Sequence, residues 1–561
     1  MYKIKKQLRL SFAMLILLSA VSCDYLEYND EMVNTDEIVW TDVSNIKNSI
    51  GAVYAQLPNG YKQIDGGFMA CATDEAESAN TSSSVEYFNN GSWNMFKNPD
   101  NQWNKNYTGI YRANRFIESA DTVTLAPMKW DADNWPENIA LVRAFRGEAR
   151  FLRAFFYFEL IKRYGGVPII ESSDEIDYLN PGQFPRDSYD DCLNYITSQC
   201  DSAIHYMRER IPSNLRGFAD DGAALALKTR AFLYGASALN NTDGVYDAYY
   251  DSCAVNASRL FSMGYNVSGV NYEKLFTPTD GLHDINNDVI FDVRQGNTKS
   301  YEIDNYPVGF ENAKGYTNPT QDLVDAYEMK DGSVFDWNDP VMAADPYANR
   351  DARFYASILY NGVPMLGRNV ECYNGGIDGP VQSDIIGTRT GYYLKKYIRT
   401  DVDLITGGNQ KHFWFLFRYA EVLLNYAEAM NELYGPDADP NGYGKTALEA
   451  INEVRARAGQ PALTTNDQDE FREKVRHERR IELAFEDHRF WDVRRWKIAE
   501  ETIGEPIHGV DIEKEVNGEE VSYKYTVKEV ENRVFEEKMY LYPIPSSEIL
   551  NDTGITQNPG W

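Results

Sequence analysis

Eight stretches in which apolar residues return every three or four positions dominate this chain, and they commit it to a mainly α-helical fold. They run over 102–120, 138–164, 188–209, 220–239, 247–263, 417–434, 444–458 and 468–500. Between Val142 and Tyr164 the residues Phe145, Leu152, Phe155, Phe156 and Ile161 share one broad face while arginines line the other, and Gly165-Gly166 ends the run. Ser188, with Asp191 three positions on, opens the next helix as a capping pair. Around 417–458 two helices flank a turn rich in Gly, Pro, Asp and Asn. Small residues there, Ala420, Ala427, Ala429, Ala447 and Ala450, let the two backbones approach. The expectation is a tetratricopeptide-like scaffold of helical pairs with long functional loops and few short strands.

Two regions break the helical pattern. Residues 264–416 are rich in Asn, Asp, Gly and Tyr, with short strand-like pieces such as Val289–Val293, and 58–101 carries Gly66-Gly67, Asn89-Asn90-Gly91 and several aromatics. Binding residues concentrate on loops held by a rigid scaffold, so these are the places to look for a site. A sugar ring presents an apolar C–H face and a rim of hydroxyls, and it needs a flat aromatic beside amide or carboxylate partners. Trp93 with Asn89, Asn90 and Asn94 supplies that combination, with Tyr87 beside it and Asp74, Glu75 and Glu77 a loop away. In the second region Tyr301, Tyr306 and Phe310 or Trp337 offer a further stacking surface.

The first 22 residues have the parts of a secretory leader: Lys3, Lys5, Lys6 and Arg9, an apolar run from Leu10 to Leu18, then small residues. Ser19-Ala-Val-Ser-Cys23 resembles a lipobox, which makes Cys23 the expected lipidated N-terminus. Residues 23–40 then read as a lipidated end and a polar spacer, with the fold starting near Thr41. Removing the leader leaves 51 basic against 85 acidic residues, a balance of −34. Such a chain repels polyanions, so nucleic acid is excluded as a partner, and acidic glycans would need a local basic patch. The five later cysteines show no C-x-x-C or zinc-like spacing, so neither a disulfide framework nor a metal is expected. His477-Glu478 begins like a zinc-protease helix, but Ile481 stands where the second histidine is required. With its neighbours Glu486, Asp487 and His488 among Arg479, Arg480, Arg489, Arg494 and Arg495, the segment reads as a charged helix face with i, i+4 ion pairs. No nucleophile elbow, phosphate loop or dinucleotide fingerprint is present. A glycosidase requires only two carboxylates a few ångströms apart, and 85 acidic residues keep that alternative open.

Four stretches carry a resemblance over residues 40–561. They are Arg146-Gly-Glu-Ala-Arg-Phe-Leu-Arg-Ala-Phe-Phe-Tyr-Phe with Tyr164-Gly-Gly-Val-Pro-Ile169; Ala226-Leu-Lys-Thr-Arg-Ala-Phe-Leu-Tyr-Gly-Ala-Ser; Arg418-Tyr-Ala-Glu-Val-Leu-Leu-Asn-Tyr-Ala-Glu-Ala with Ile451-Asn-Glu-Val-Arg-Ala-Arg-Ala-Gly; and Glu478 to Trp496 with Tyr542-Pro-Ile-Pro and Gln557-Asn-Pro-Gly-Trp561. Together they resemble the SusD/RagB family of nutrient-uptake lipoproteins. The resemblance implies 41–263 as the N-terminal part and 264–561 as the C-terminal part, the latter loop-rich over 264–416, helical over 417–500 and closed by 501–561. It implies an outer-membrane, cell-surface lipid anchor, a TonB-dependent SusC-like transporter as partner, no cofactor and no catalysis. Glycan capture for import is the leading expectation. A peptide-capturing RagB-like role and a surface glycoside hydrolase are the alternatives.

Overall fold

The computed structural model describes residues 36–121, 134–173, 184–209, 217–241, 247–277, 287–382 and 385–561. The leader, Cys23 and the spacer as far as residue 35 lie outside the described residues. The last spacer residues already belong to a short helix, Asp36–Thr41.

Seven of the expected helices form within a few residues of their bounds, and a further long helix, α1 (Val43–Tyr54), stands before them. The seven are α2 (Trp103–Ser119), α3 (Trp135–Tyr164), α4 (Tyr189–Ile204), α5 (Asp221–Ala236), α6 (Asp247–Leu260), α7 (Tyr419–Tyr434) and α8 (Ala447–Ala458). Local chemistry sets their ends. Ser188 accepts from the Asp191 amide at 3.0 Å to start α4, and Thr446 and Glu449 form a reciprocal capping box on α8. Gly165, at φ +74°, closes α3.

The expected 468–500 helix is two helices, α9 (Gln468–Glu482) and α10 (His488–Arg495). Between them Phe485 and Asp487 adopt left-handed backbone, φ +61° and +64°, which no continuous helix can contain. The break also overturns the reading of this segment as one charged helix face with i, i+4 ion pairs. Glu478, Arg479, Glu482 and Arg495 are all fully buried; Glu478 and Glu482 find their partners in distant parts of the chain, while Arg479 and Arg495 share Asp492 and reach Glu428.

Each helix from α2 to α7 packs on the next, and α7 also receives α8 and α9. The stack is continuous although the chain leaves it after α6 and returns only at α7. Its core is aromatic: Phe151, Phe155, Phe156 and Phe158 of α3 are buried. The arginine side of α3 is partly covered too, since Arg153 bonds Asn114 and Arg163 bonds Asp100 and Glu159.

The excursion over 261–418 is stitched to the scaffold where it begins and ends. Strands β2 (Val289–Arg294) and β4 (Phe413–Arg418) pair antiparallel. Asp288 just before β2 bonds Arg418 at the end of β4 at 2.7 Å and caps the α7 backbone at Ala420 at 2.9 Å. Around this joint lies a buried network in which Arg418 also meets Glu482 and Glu486, Arg353 meets Asp351, Glu478 and Glu482, Arg455 meets Glu328 and Glu478, and Arg457 meets Asp288 and Glu482. Lys396 closes it by donating to Glu486 at 2.8 Å, and burial outweighs its acidic neighbours and lowers its pKa to about 8. Two further antiparallel pairs shape the loops: β1 (Ala76–Ser78) with β3 (Thr317–Pro319), and the long hairpin β5 (Ile507–Asn517) with β6 (Glu520–Glu531).

Candidate functional site

The loops gather into one region because the C-terminal segment ties the two loop-rich stretches together. Arg533, just past β6, donates to the carbonyls of Cys71, Thr73 and Ala76 and to Glu77. Arg389 pairs with Glu77 and lies within ion-pair reach of Glu86 and Glu531, joining the short helix Glu86–Asn89 to the root of the hairpin. The carboxylates of Glu77, Glu86 and Glu531 lie close enough together to ligate a metal. The Arg389 and Arg533 guanidiniums stand among the three carboxylates and meet part of their charge.

Four of the expected ligand residues are structural, and their packing shows why. Trp93 is 2% exposed, its ring set edge to face against Phe88, Tyr542 and Trp561 at 4.8, 5.1 and 4.6 Å. Its faces are covered by the chain's own C-terminus, so it anchors the loop and offers no platform. Asp74 is buried between Arg489, at 2.7 and 2.8 Å, and Arg480, at 2.9 Å. Burial pushes its carboxyl up, but the two guanidiniums outweigh this and hold it well below the usual range. Tyr301 stacks on Tyr61 at 4.1 Å with its hydroxyl bonded by Asn59. Tyr306 is wholly buried, donating to the Arg399 carbonyl and accepting from the Val402 amide at 3.2 Å. Glu75 and Glu77 are buried as well, and burial raises each to about 7.

The other three lie at the surface. Asn90 is exposed, its Oδ1 accepting from Ser92 N at 2.9 Å, and Asn94 bonds Ser92 O and Phe96 N at 3.2 and 3.0 Å. Both amides shape the loop, which leaves Phe96 73% exposed at its tip. Tyr87 is half-buried with the Lys97 ammonium 5.4 Å from its ring centre. Asp65 receives the Ser84 amide at 2.6 Å and fixes the start of the Tyr87 helix, while Gly66, at φ +89°, lets the Tyr316 ring lie against the same turn where a side chain would collide. Tyr316 is half-buried under Lys314, 5.1 Å from its ring centre.

A second set of rings escaped the sequence reading. On the hairpin, Tyr523 and Tyr525 oppose Lys514 and Ile512 and share one face, alternating with Ser522, Lys524 and Thr526. Tyr523 meets Tyr373 at 5.7 Å, and Tyr525 meets Tyr347, which in turn packs on Tyr360 at 4.6 Å. Tyr360, Tyr373, Tyr523 and Tyr525 are each half-buried, with Lys514 4.8 Å from the Tyr373 ring centre. Two signals could have found them: Asn517-Gly518 as a hairpin turn, and the period-two spacing of the tyrosines.

Scaffold and loops together define a helical-repeat protein whose loops and long hairpin carry half-buried tyrosines. Residues 287–561 match the family model described as the SusD family, and residues 24–233 match one described as starch-binding associating with outer membrane. The chain belongs to the SusD/RagB family. It is similar to the SusD-like protein P38 of Formosa agariphila, at 25% identity over 90% of this chain and 94% of that one. Among solved structures it is similar to a SusD-like protein from Bacteroides fragilis, with TM-score 0.77 and 28% identity over 95% of this chain and 99% of the other. A SusD-like carbohydrate-binding protein from the same species gives TM-score 0.74 and 25% identity over 92% and 100%. Among the described residues no helix is long and apolar enough to cross a membrane.

Proposed function

We propose that this protein captures oligo- or polysaccharide at the outer face of the outer membrane without cleaving it, and passes it to a SusC-like TonB-dependent transporter. The observation that carries the reading is the set of half-buried tyrosines on the loop face, Tyr87, Tyr316, Tyr360, Tyr373, Tyr523 and Tyr525. Each keeps part of a flat apolar ring in reach of solvent with polar neighbours beside it, the surface that a sugar's C–H face and hydroxyl rim require. The carbohydrate-binding relative and the starch-binding family description agree with it. Stacking of this kind binds weakly per ring, which suits a protein that must release its cargo.

Capture without turnover is supported by where two of the carboxyls with raised pKa values sit. Glu75 and Glu77, kept near neutrality by burial, are behind the loops and bonded to the chain, out of a substrate's reach. Tethering through Cys23 completes the proposal. Calorimetry of the mature protein against neutral and acidic glycans tests it, with saturable binding to at least one glycan and no release of reducing ends expected. Binding to peptides alone would favour the RagB-like reading, and reducing-end release abolished by a carboxylate substitution would overturn the non-catalytic one. For the tether, Cys23→Ala should abolish fatty-acid labelling and free the protein from the membrane fraction.

A further inference from the structure

Three arginines gather on one side of the N-terminal half of α3. Arg143, Arg146 and Arg150 recur at three and four positions, the spacing that sets side chains above one another on a helix. They line a cleft of about 600 Å³ with Ala140, with Asp121 beyond the end of α2, and with His205 and Tyr206 beyond the end of α4. None of the loop-face tyrosines line it. Like charges so spaced repel, and the helix carries them at a cost that an anion between them would relieve.

The chain supplies little of that anion itself. Around Asp288 the guanidiniums of Arg353, Arg418, Arg455 and Arg457 each meet carboxylates, whereas the contacts here orient guanidiniums without neutralising them. Arg146 donates to the Ile117 carbonyl at 3.2 Å and has Asp121 at 3.6 Å. Arg150 reaches the Arg146 carbonyl at 3.5 Å and lies 5.6 Å from the Tyr206 ring centre. Arg153, further along α3, bonds Asn114, the Glu171 carbonyl and Gln199, all uncharged acceptors. Arg143 is exposed. Among the described residues Asp121 is the only carboxylate lining the cleft. Burial, and then the charges of Arg146 and Arg153, hold the Arg150 guanidinium below its ordinary pKa, as befits a cation short of counter-charge. The chain's net charge of −30 does not cancel this locally, because salt screens exposed charges beyond about 8 Å.

Guanidiniums held in place with one carboxylate among three of them match an oxyanion that brings two charges and several acceptor oxygens. We propose that this cleft binds a phosphate monoester dianion through Arg143, Arg146 and Arg150, carried either on a diffusible small molecule or on a lipid headgroup. The site lies on the helical scaffold and does not rest on the glycan reading of the loops.

Phosphorus NMR titration of the mature protein with inorganic phosphate and phenyl phosphate tests this, at about pH 8, where monoesters are dianions. Co-sedimentation with phosphatidylcholine vesicles in which one lipid in five is phosphatidic acid forms the second arm. Both soluble phosphates should bind saturably. Arg150→Gln, checked for folding by circular dichroism, should weaken them by roughly tenfold or more, the worth of one hydrogen bond to a charged group. Arg143→Gln changes an exposed position where folding is not at stake, and it should weaken them severalfold. Lys497→Gln, which removes an exposed ammonium paired with Glu537, should change nothing. Vesicle capture that inorganic phosphate displaces and Arg143→Gln weakens would identify the headgroup as the source; phenyl phosphate binding without vesicle capture would identify a diffusible ester. No binding of either soluble phosphate at millimolar concentration, equal binding in both arginine variants, or acetate competing as strongly as phosphate would each overturn the proposal.

Discussion

Trp93, on a loop, and Tyr523, on the hairpin, show how differently two aromatic residues outside the helical scaffold can serve. Trp93 fills the space between Phe88, Tyr542 and Trp561, so Trp93→Ala should cost about 3–5 kcal/mol by leaving a cavity while ligand affinity per folded molecule stays unchanged. Denaturant unfolding beside calorimetry separates the two effects. Tyr523 rests on Tyr373 with part of its ring open. Tyr523→Ala should leave the melting temperature nearly unchanged and weaken glycan binding by roughly two- to tenfold, the value of one stacked ring. A variant that melts far earlier, or binds as before, would remove the hairpin from the binding face. The sequence could name the chemistry at this scale, a flat ring beside amides, but not which ring is open. Trp93 is covered by Tyr542 and Trp561, more than 400 residues away along the chain, and no local pattern encodes such a contact. Asp74 looked like a loop carboxylate for the same reason, since its partners Arg480 and Arg489 belong to α9 and α10.

At the scale of elements, periodicity and caps are local properties, so α2 to α8 could be read with their ends. The break between α9 and α10 could not. Its left-handed residues Phe485 and Asp487 are held by tertiary bonds, such as the Phe485 amide to Glu75, and they override a favourable helical composition. The same segment carries the buried ion network, where removing one partner is expensive because it strands the opposite charge. Arg418→Met should therefore cost about 3–5 kcal/mol, measured by chemical denaturation, whereas removing the exposed pair Lys524–Glu513 should be nearly silent. Two buried carboxylates outside that network, Glu428 and Glu159, give the fold a pH signature. Burial would raise both, but Arg495 beside Glu428 and Lys162 and Arg163 beside Glu159 prevail and hold each at about 2. A depressed folded pKa stabilises above the unfolded value of about 4.3 and loses that contribution as protons bind. Melting temperature should fall as pH drops from about 4.5 towards 2.

The whole molecule carries an opposing term. Glu148, bonded by Tyr54 at 2.8 Å, is pushed up to about 8, chiefly by burial. A raised folded pKa favours the fold below the unfolded value, and that benefit drains away as pH climbs to the folded one. Stability should thus decline between about pH 5 and 8, and Glu148→Gln should flatten the decline in a series of thermal melts. An unchanged slope would place the effect elsewhere.

The joint at Asp288 and Arg418 also bears on how this chain comes to exist. Helices α2 to α6 follow one another and can stack as they emerge, but α7 must find α6 across an intervening stretch of about 160 residues. Closing a loop of that length costs roughly 4–5 kcal/mol in chain entropy, recovered only when the strands pair and the buried charges meet. Until then Arg418, Glu482 and their partners are hydrated and the edge of α6 is bare. The ordering of assembly is therefore written into topology: a quickly formed N-terminal stack waits for a late, cooperative closure, and the loops take shape in that last step.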